Sequence, residues 1–179
     1  MYPEVMVIPM REELTRIGIK ETRTAAEVAQ AVAQPGTTMV IVNSICGCAA
    51  GKMRPAVRLA LQQGTAKPDQ SITVFAGQDR DATEKARNYL APNPPSSPSI
   101  GLLRDGKLLA TVHVGSRPDA MALSPNQNFL FVVDTAAGDV AVVRAAALPF
   151  PVLLTMIPVG QQPNAIVVKA FILRKPPQP

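Results

Sequence analysis

Histidine occurs once in this 179-residue chain, at His113, cysteine twice and tryptophan not at all. A structural zinc site takes four ligands. Cys46, Cys48 and His113 fall short of that inventory unless carboxylates or a second chain contribute. No basic run is longer than Arg174-Lys175, and with aromatics at 4% none interleaves with basic residues. The net charge of +5 is therefore scattered surface charge, and nucleic-acid binding is not expected. No apolar stretch approaches the ~18 uninterrupted residues of a membrane span. Even 145–159 is broken by Pro149, Pro151 and Pro158, so no membrane partner is expected. The N-terminus has no basic n-region, and Pro3, Glu4 and Pro9 interrupt its apolar residues, so it does not read as a signal peptide. A phosphate loop is absent as well. The run Gly47 to Met53 is one residue short between its glycines and puts Met53 where Ser or Thr would meet magnesium.

What is present begins with Asn43-Ser44-Ile45-Cys46-Gly47-Cys48-Ala49-Ala50-Gly51, which places both cysteines one glycine apart. Before it, Thr37 to Val42 is a continuous β-branched run of the kind that forms a buried strand. After it, Ala50, Met53, Val57 and Leu61 recur at helical spacing. The thiols are thus expected at a strand-to-helix turn, where unpaired N–H groups and partial positive charge favour thiolate over thiol. In a cytoplasmic, reducing setting, which is the expected location, such a pair is catalytic or metal-binding rather than a structural staple.

The rest of the chain reads as a folded α/β protein of one or two small domains, with 47% hydrophobic and 17% charged residues. Thr24-Ala25-Ala26-Glu27 has capping-box spacing and opens a helix that Pro35-Gly36 closes. The helix after the thiol turn should run from about Cys48 to Gln63, kinked at Pro55 and stopped at Gly64. Ser71 to Ala76 reads as a second buried strand, and Asp81-Ala82-Thr83-Glu84 as the start of a helix to about Leu90. A proline-rich loop from Pro92 to Pro98 leads to a hairpin of Ser99 to Leu103 and Lys107 to Val114, turning at Asp105-Gly106. His113 falls on the second of these strands, where a lone imidazole is structural rather than a general base. Lys52 and Arg54, beside the thiol turn, read as solvated cations with a lesser case for lending positive potential to the thiolate.

The order strand, thiol turn, helix, strand, helix, proline, hairpin resembles the thioredoxin fold. Pro98, opening the hairpin strand eight residues before Gly106, resembles that family's cis-proline segment beside the active cysteines. Met1-Tyr2-Pro3-Glu4, Cys46-Gly47-Cys48-Ala49-Ala50-Gly51, Arg54-Pro55, Phe75-Ala76-Gly77-Gln78-Asp79 and Pro94-Pro95-Ser96-Ser97-Pro98-Ser99 together resemble the bacilliredoxin family, over about residues 1–112. The resemblance implies a thiol–disulfide oxidoreductase that removes a low-molecular-weight thiol, notably bacillithiol, from mixed disulfides on client proteins, with isomerase activity also ascribed to such proteins. By that pattern Cys46 attacks and Cys48 resolves. No bound cofactor is implied; the external small thiol is the co-substrate.

Residues 113–179 depart from that pattern. Aligning Leu108-Leu109 with Leu153-Leu154 brings Val114-Gly115 onto Val159-Gly160, Pro118 onto Pro163 and Ala120 onto Ala165, an offset of 160 minus 115, or 45. With β runs at Ala120 to Leu123, Phe129 to Asp134 and Val140 to Arg144, this repeat is similar to β-propeller repeats of the YVTN type. About one and a half repeats cannot close a propeller of roughly four to eight blades. The expectation is therefore a thioredoxin-like three-layer domain, 1–112, followed by a short all-β segment, 113–179, that serves structure or interaction. Its unpaired edges favour homo-oligomers.

Two other readings of the thiols stand beside the enzyme: a non-catalytic redox sensor or interaction module, and a metal-binding cysteine pair. A disulfide across a single glycine would close a small strained ring and be easily reduced, which suits an isomerase or a monothiol route.

Overall fold

The computed structural model describes residues 1–64, 66–115, 117–146 and 151–170. The chain divides into two compact units, Met1–Leu109 and Ala110–Pro179. The first is a mixed α/β layer structure. In order it contains α1 (Glu4–Thr15), β1 (Lys20–Glu21), α2 (Ala25–Val32), β2 (Thr37–Asn43), a π-helical turn (Ala49–Met53), α3 (Arg54–Gln63), β3 (Gln70–Phe75), α4 (Arg80–Tyr89), β4 (Ser99–Arg104) and β5 (Lys107–Leu108). Its sheet has the order β1-β3-β2-β4-β5, parallel between β1, β3 and β2 and antiparallel from β2 through β5.

Strand β2 lies between β3 and β4 and is covered on both faces, which explains its uninterrupted apolar run. Val40 and Val42 point to a cluster with Val28 and Val32 of α2, Ile72 and Val74 of β3, and Ala82 and Ala86 of α4. Ile41 points the other way, into a cluster with Leu14 of α1, Ala49 and Met53 of the π turn and Val57 of α3. This two-sided burial anchors the last residue of β2, and hence the thiol turn, to the sheet.

Several elements differ from the sequence expectation. Helix α2 has its capping box as read: the Thr24 hydroxyl accepts from the Glu27 N–H, and the Glu27 carboxylate accepts from the Thr24 N–H. Helix α4 instead begins at Arg80 with Asp79 in the cap position. The Asp79 carboxylate does not cap it; it accepts from Arg11 at 2.8 and 3.0 Å and from the Phe75 N–H at 3.3 Å. Pro55 kinks nothing. It sits in the first turn of α3, where its missing N–H is tolerated, and the wider π turn before it makes the entry. The hairpin turns at Asp105-Gly106, both with positive φ (49° and 76°), but its second strand ends at Leu108, and His113 lies outside any strand. Helix α1 was not expected. Its buried residues Val7, Arg11 and Leu14 share one face, and Arg11, 5% exposed between Asp79 and Glu21, disguises an apolar stripe as a polar one.

The second unit contains one antiparallel sheet in the order β6 (Pro118–Leu123), β7 (Phe129–Asp134), β8 (Asp139–Arg144) and β9 (Val152–Pro158). Val132, Val133, Ala141 and Val143 are buried, while Met121, Leu123, Val152, Leu154 and Ile157 are exposed on the outer strands. The 45-residue repeat is visible in the backbone: Gly115 and Gly160 have φ 107° and 98°, and Arg117 and Gln162 have φ 62° and 51°. It does not carry through to pairing, since Pro118–Leu123 is β6 whereas 163–168 form no strand. Asp134 is wholly buried opposite Asp139, and neither of its carboxylate oxygens has a hydrogen-bond partner. Burial, then the nearby Asp139 charge, raises its pKa above the ordinary carboxylate value.

Candidate active site

The thiol turn leaves the carboxyl end of β2, beside the equivalent end of β3 and the start of β4. Open α/β sheets bind ligands at this edge of their parallel strands. Asn43 and Ser44 are buried, Cys46 is half-buried and Cys48 is exposed. The two sulfurs lie 2.6 Å apart, unbonded.

Cys46 Sγ is held by donors. The Ser44 hydroxyl donates to it at 3.1 Å and the Ala49 N–H, at the start of the π turn, at 3.3 Å. The Cys46 carbonyl accepts from the Ala49 and Ala50 N–H groups at 3.0 and 3.2 Å. Partial burial pushes the Cys46 thiol up, but donation from the Cys48 thiol, the Ser44 hydroxyl and the Ala49 and Cys48 N–H groups outweighs it, and the net shift is downward. Cys48 moves the other way. The hydrogen bond it gives to Cys46 is the largest cause, followed by desolvation and the repulsion of the Cys46 charge. One proton thus serves two sulfurs, and the half-buried sulfur is the one that gives it up.

The Ser97–Pro98 peptide is cis, and the Ser97 carbonyl lies 3.9 Å from Cys46 Sγ, so the proline loop borders the thiol pair. Pro98 is half-buried at that border. His113 is exposed in the second unit, and among the described residues no group of three or more His, Cys, Asp or Glu could hold a metal ion. Among the described residues no helix is long and apolar enough to cross a membrane.

Arg54 is not a solvated cation: it is 2% exposed. Its Nε donates to Glu13 at 2.9 Å, and one terminal nitrogen donates to both Asn43 Oδ1 and the Ser44 carbonyl at 3.1 Å. Asn43 in turn accepts from the Ser44 N–H at 2.8 Å and donates to the Met10 carbonyl at 3.2 Å. Composition and spacing did not point to Ser44 or to the burial of Arg54. The available signal was Arg54 itself, a cation at i, i+3 from Val57 on the apolar side of α3.

A protein-family model described as Disulphide isomerase matches residues 2–122. A bacilliredoxin of Koribacter versatilis is 60% identical over 128 residues, 71% of this chain and 86% of that relative. The chain belongs to the bacilliredoxin, or disulphide isomerase, family. Two further relatives are bacilliredoxins of Geobacillus kaustophilus, 50% identical over 66% of this chain and 80% of the relative, and of Salinibacter ruber, 53% identical over 59% and 64%. The family match spans the thiol turn and runs to residue 122, past the boundary near 112 expected from the sequence, so that it takes in most of β6.

Proposed function

We propose that this chain is a thiol–disulfide oxidoreductase of thioredoxin-like architecture that removes a low-molecular-weight thiol, bacillithiol or its equivalent, from mixed disulfides on client proteins. The observation that carries the reading is the asymmetry of the pair: half-buried Cys46 Sγ accepts a hydrogen bond from the Ser44 hydroxyl, and Cys48 stands exposed beside it. In the first step the Cys46 thiolate attacks the small-thiol sulfur of the client disulfide. A Cys46–small-thiol disulfide forms, the sulfur–sulfur bond between client and small thiol breaks, and the client leaves as thiolate and takes a proton from solvent. In the second, the Cys48 thiolate attacks Cys46 Sγ, forming a Cys46–Cys48 disulfide that external thiol then reduces and releasing the small thiol, or a second small thiol attacks the adduct directly, leaving as the small-thiol disulfide and freeing Cys46. Either way the external thiol pool returns the two electrons, and no bound cofactor takes part. Pro98 borders the client's path to Cys46, and the setting is the reducing cytoplasm.

Residues 113–179 are read as a partial blade-type segment for interaction or self-association rather than chemistry. Incubating the full chain with a bacillithiolated model client and following client thiol release tests the enzyme. Multiple turnovers, abolished by Cys46→Ser, are expected. Stoichiometric oxidation of the pair with no turnover would instead make the protein a redox sensor.

A further inference from the structure

The pair of thiols raises a question of selection: both cysteines are near the same helix start, yet one sulfur must attack and the other wait. Backbone donors do not settle it, because the Cys48 and Ala49 N–H groups act on both sulfurs. What differs is a side chain. The Ser44 hydroxyl donates to Cys46 at 3.1 Å, and Ser44 is only 5% exposed, so that hydroxyl works with little competition from water. A serine two residues before a cysteine has no reason to point back at it unless its backbone is fixed. Arg54 does this, gripping the Ser44 carbonyl and, through Asn43, the Ser44 N–H. The guanidinium is paired with Glu13 at 2.9 Å, so it acts on the loop through its hydrogen bonds rather than as an uncompensated charge.

We infer that Ser44 is a further catalytic residue of this site, its hydroxyl selecting Cys46 over Cys48 as the attacking sulfur, and that Arg54 is the positioning residue that aims it. The inference rests on the thiol–disulfide reading but concerns a property of Cys46 that exists without any client. No group is transferred: the hydroxyl keeps its proton and donates it as a hydrogen bond to the thiolate.

The test follows alkylation of Cys46 by iodoacetamide against pH in the full chain carrying Cys48→Ser, with intact mass reporting the adduct. Ser44→Ala should move the midpoint upward by about one unit, so that alkylation below it slows about tenfold. Ser44→Thr, which keeps a hydroxyl, should recover most of the parent profile. Arg54→Met should give the same upward shift, and combining it with Ser44→Ala should add little, because both remove one interaction. A Ser44→Ala profile superimposed on the parent overturns the role of Ser44. A folded Arg54→Met protein with an unshifted midpoint overturns the role of Arg54. Should Arg54→Met fail to fold, Asn43→Ala takes its place, since Asn43 relays the same grip. Absence of client turnover would count against the enzyme reading alone, since alkylation needs no client.

Discussion

Cys46 and Cys48 titrate in opposite directions, the hydrogen bond between them lowering the one and raising the other beside desolvation and the Ser44 and Ala49 donors, and stability inherits that opposition. A thiol whose folded pKa is lowered stabilises the fold above its ordinary value of about 8.5, and the contribution is lost as pH falls through the folded value. Cys46 is of this kind. Cys48, raised, contributes below its ordinary value and loses the contribution as pH rises through the folded one. The reduced wild-type protein should therefore show a thermal midpoint that rises with pH up to about 8.5 and falls above it. In Cys48→Ala the fall above about 8.5 should disappear, and Cys46→Ser should abolish the rise below it. Circular dichroism melts in reductant measure both. At this scale the cysteines were legible because their chemistry is rare and their spacing explicit. Ser44 and Arg54 were not, because a serine and an arginine announce a role only once it is known which atoms they face.

Helix α1 is fastened by charge as much as by apolar packing. Arg11 lies over the Phe75 ring at 5.1 Å and between the carboxylates of Asp79 and Glu21. Removing one partner of such a buried set leaves the others uncompensated, so Arg11→Met should cost about 3 kcal/mol in urea unfolding. Thr24→Ala removes a cap on the solvent side of α2 and should cost about 1 kcal/mol in the same measurement. The two helices also show what patterning carries. Thr24 and Glu27 interact only with their own helix end, so three residues of sequence specify the cap. Asp79 stands at a helix start too, but its carboxylate answers to Arg11, 68 positions away, and no local pattern contains that partner. Strands β2, β7 and β8 were legible for the local reason: continuous or alternating apolar runs with both faces or one face to bury. The short β5 was not, since Lys107 to Val114 keeps a strand-like composition beyond the two residues that find a partner.

The two units bury separate cores, and the second is a single sheet whose outer strands, β6 and β9, carry exposed apolar side chains. Unpaired strand edges recruit further strands. Sedimentation velocity should show association that grows with concentration, and Ile157→Lys, a charge on β9, should suppress it while leaving client turnover unchanged. The repeat behind this sheet was legible as an offset of 45, and Gly115 and Gly160 share their backbone turn because each copy retains the glycine. Its unequal outcome was not legible: β6 pairs with β7, whereas among the described residues 163–168 pair with no strand. One feature of this sheet bears on when it holds together. With its carboxyl oxygens unpartnered, Asp134 is more easily buried neutral than ionised, so its raised pKa favours the fold below the ordinary carboxylate value and withdraws that support as pH climbs through the folded one. Mild acid should tighten the β7–β8 ladder and slow its amide exchange, corrected for the intrinsic rate, and Asp134→Asn should make that tightening permanent. The half of the molecule without thiols would then be the half that registers acidity.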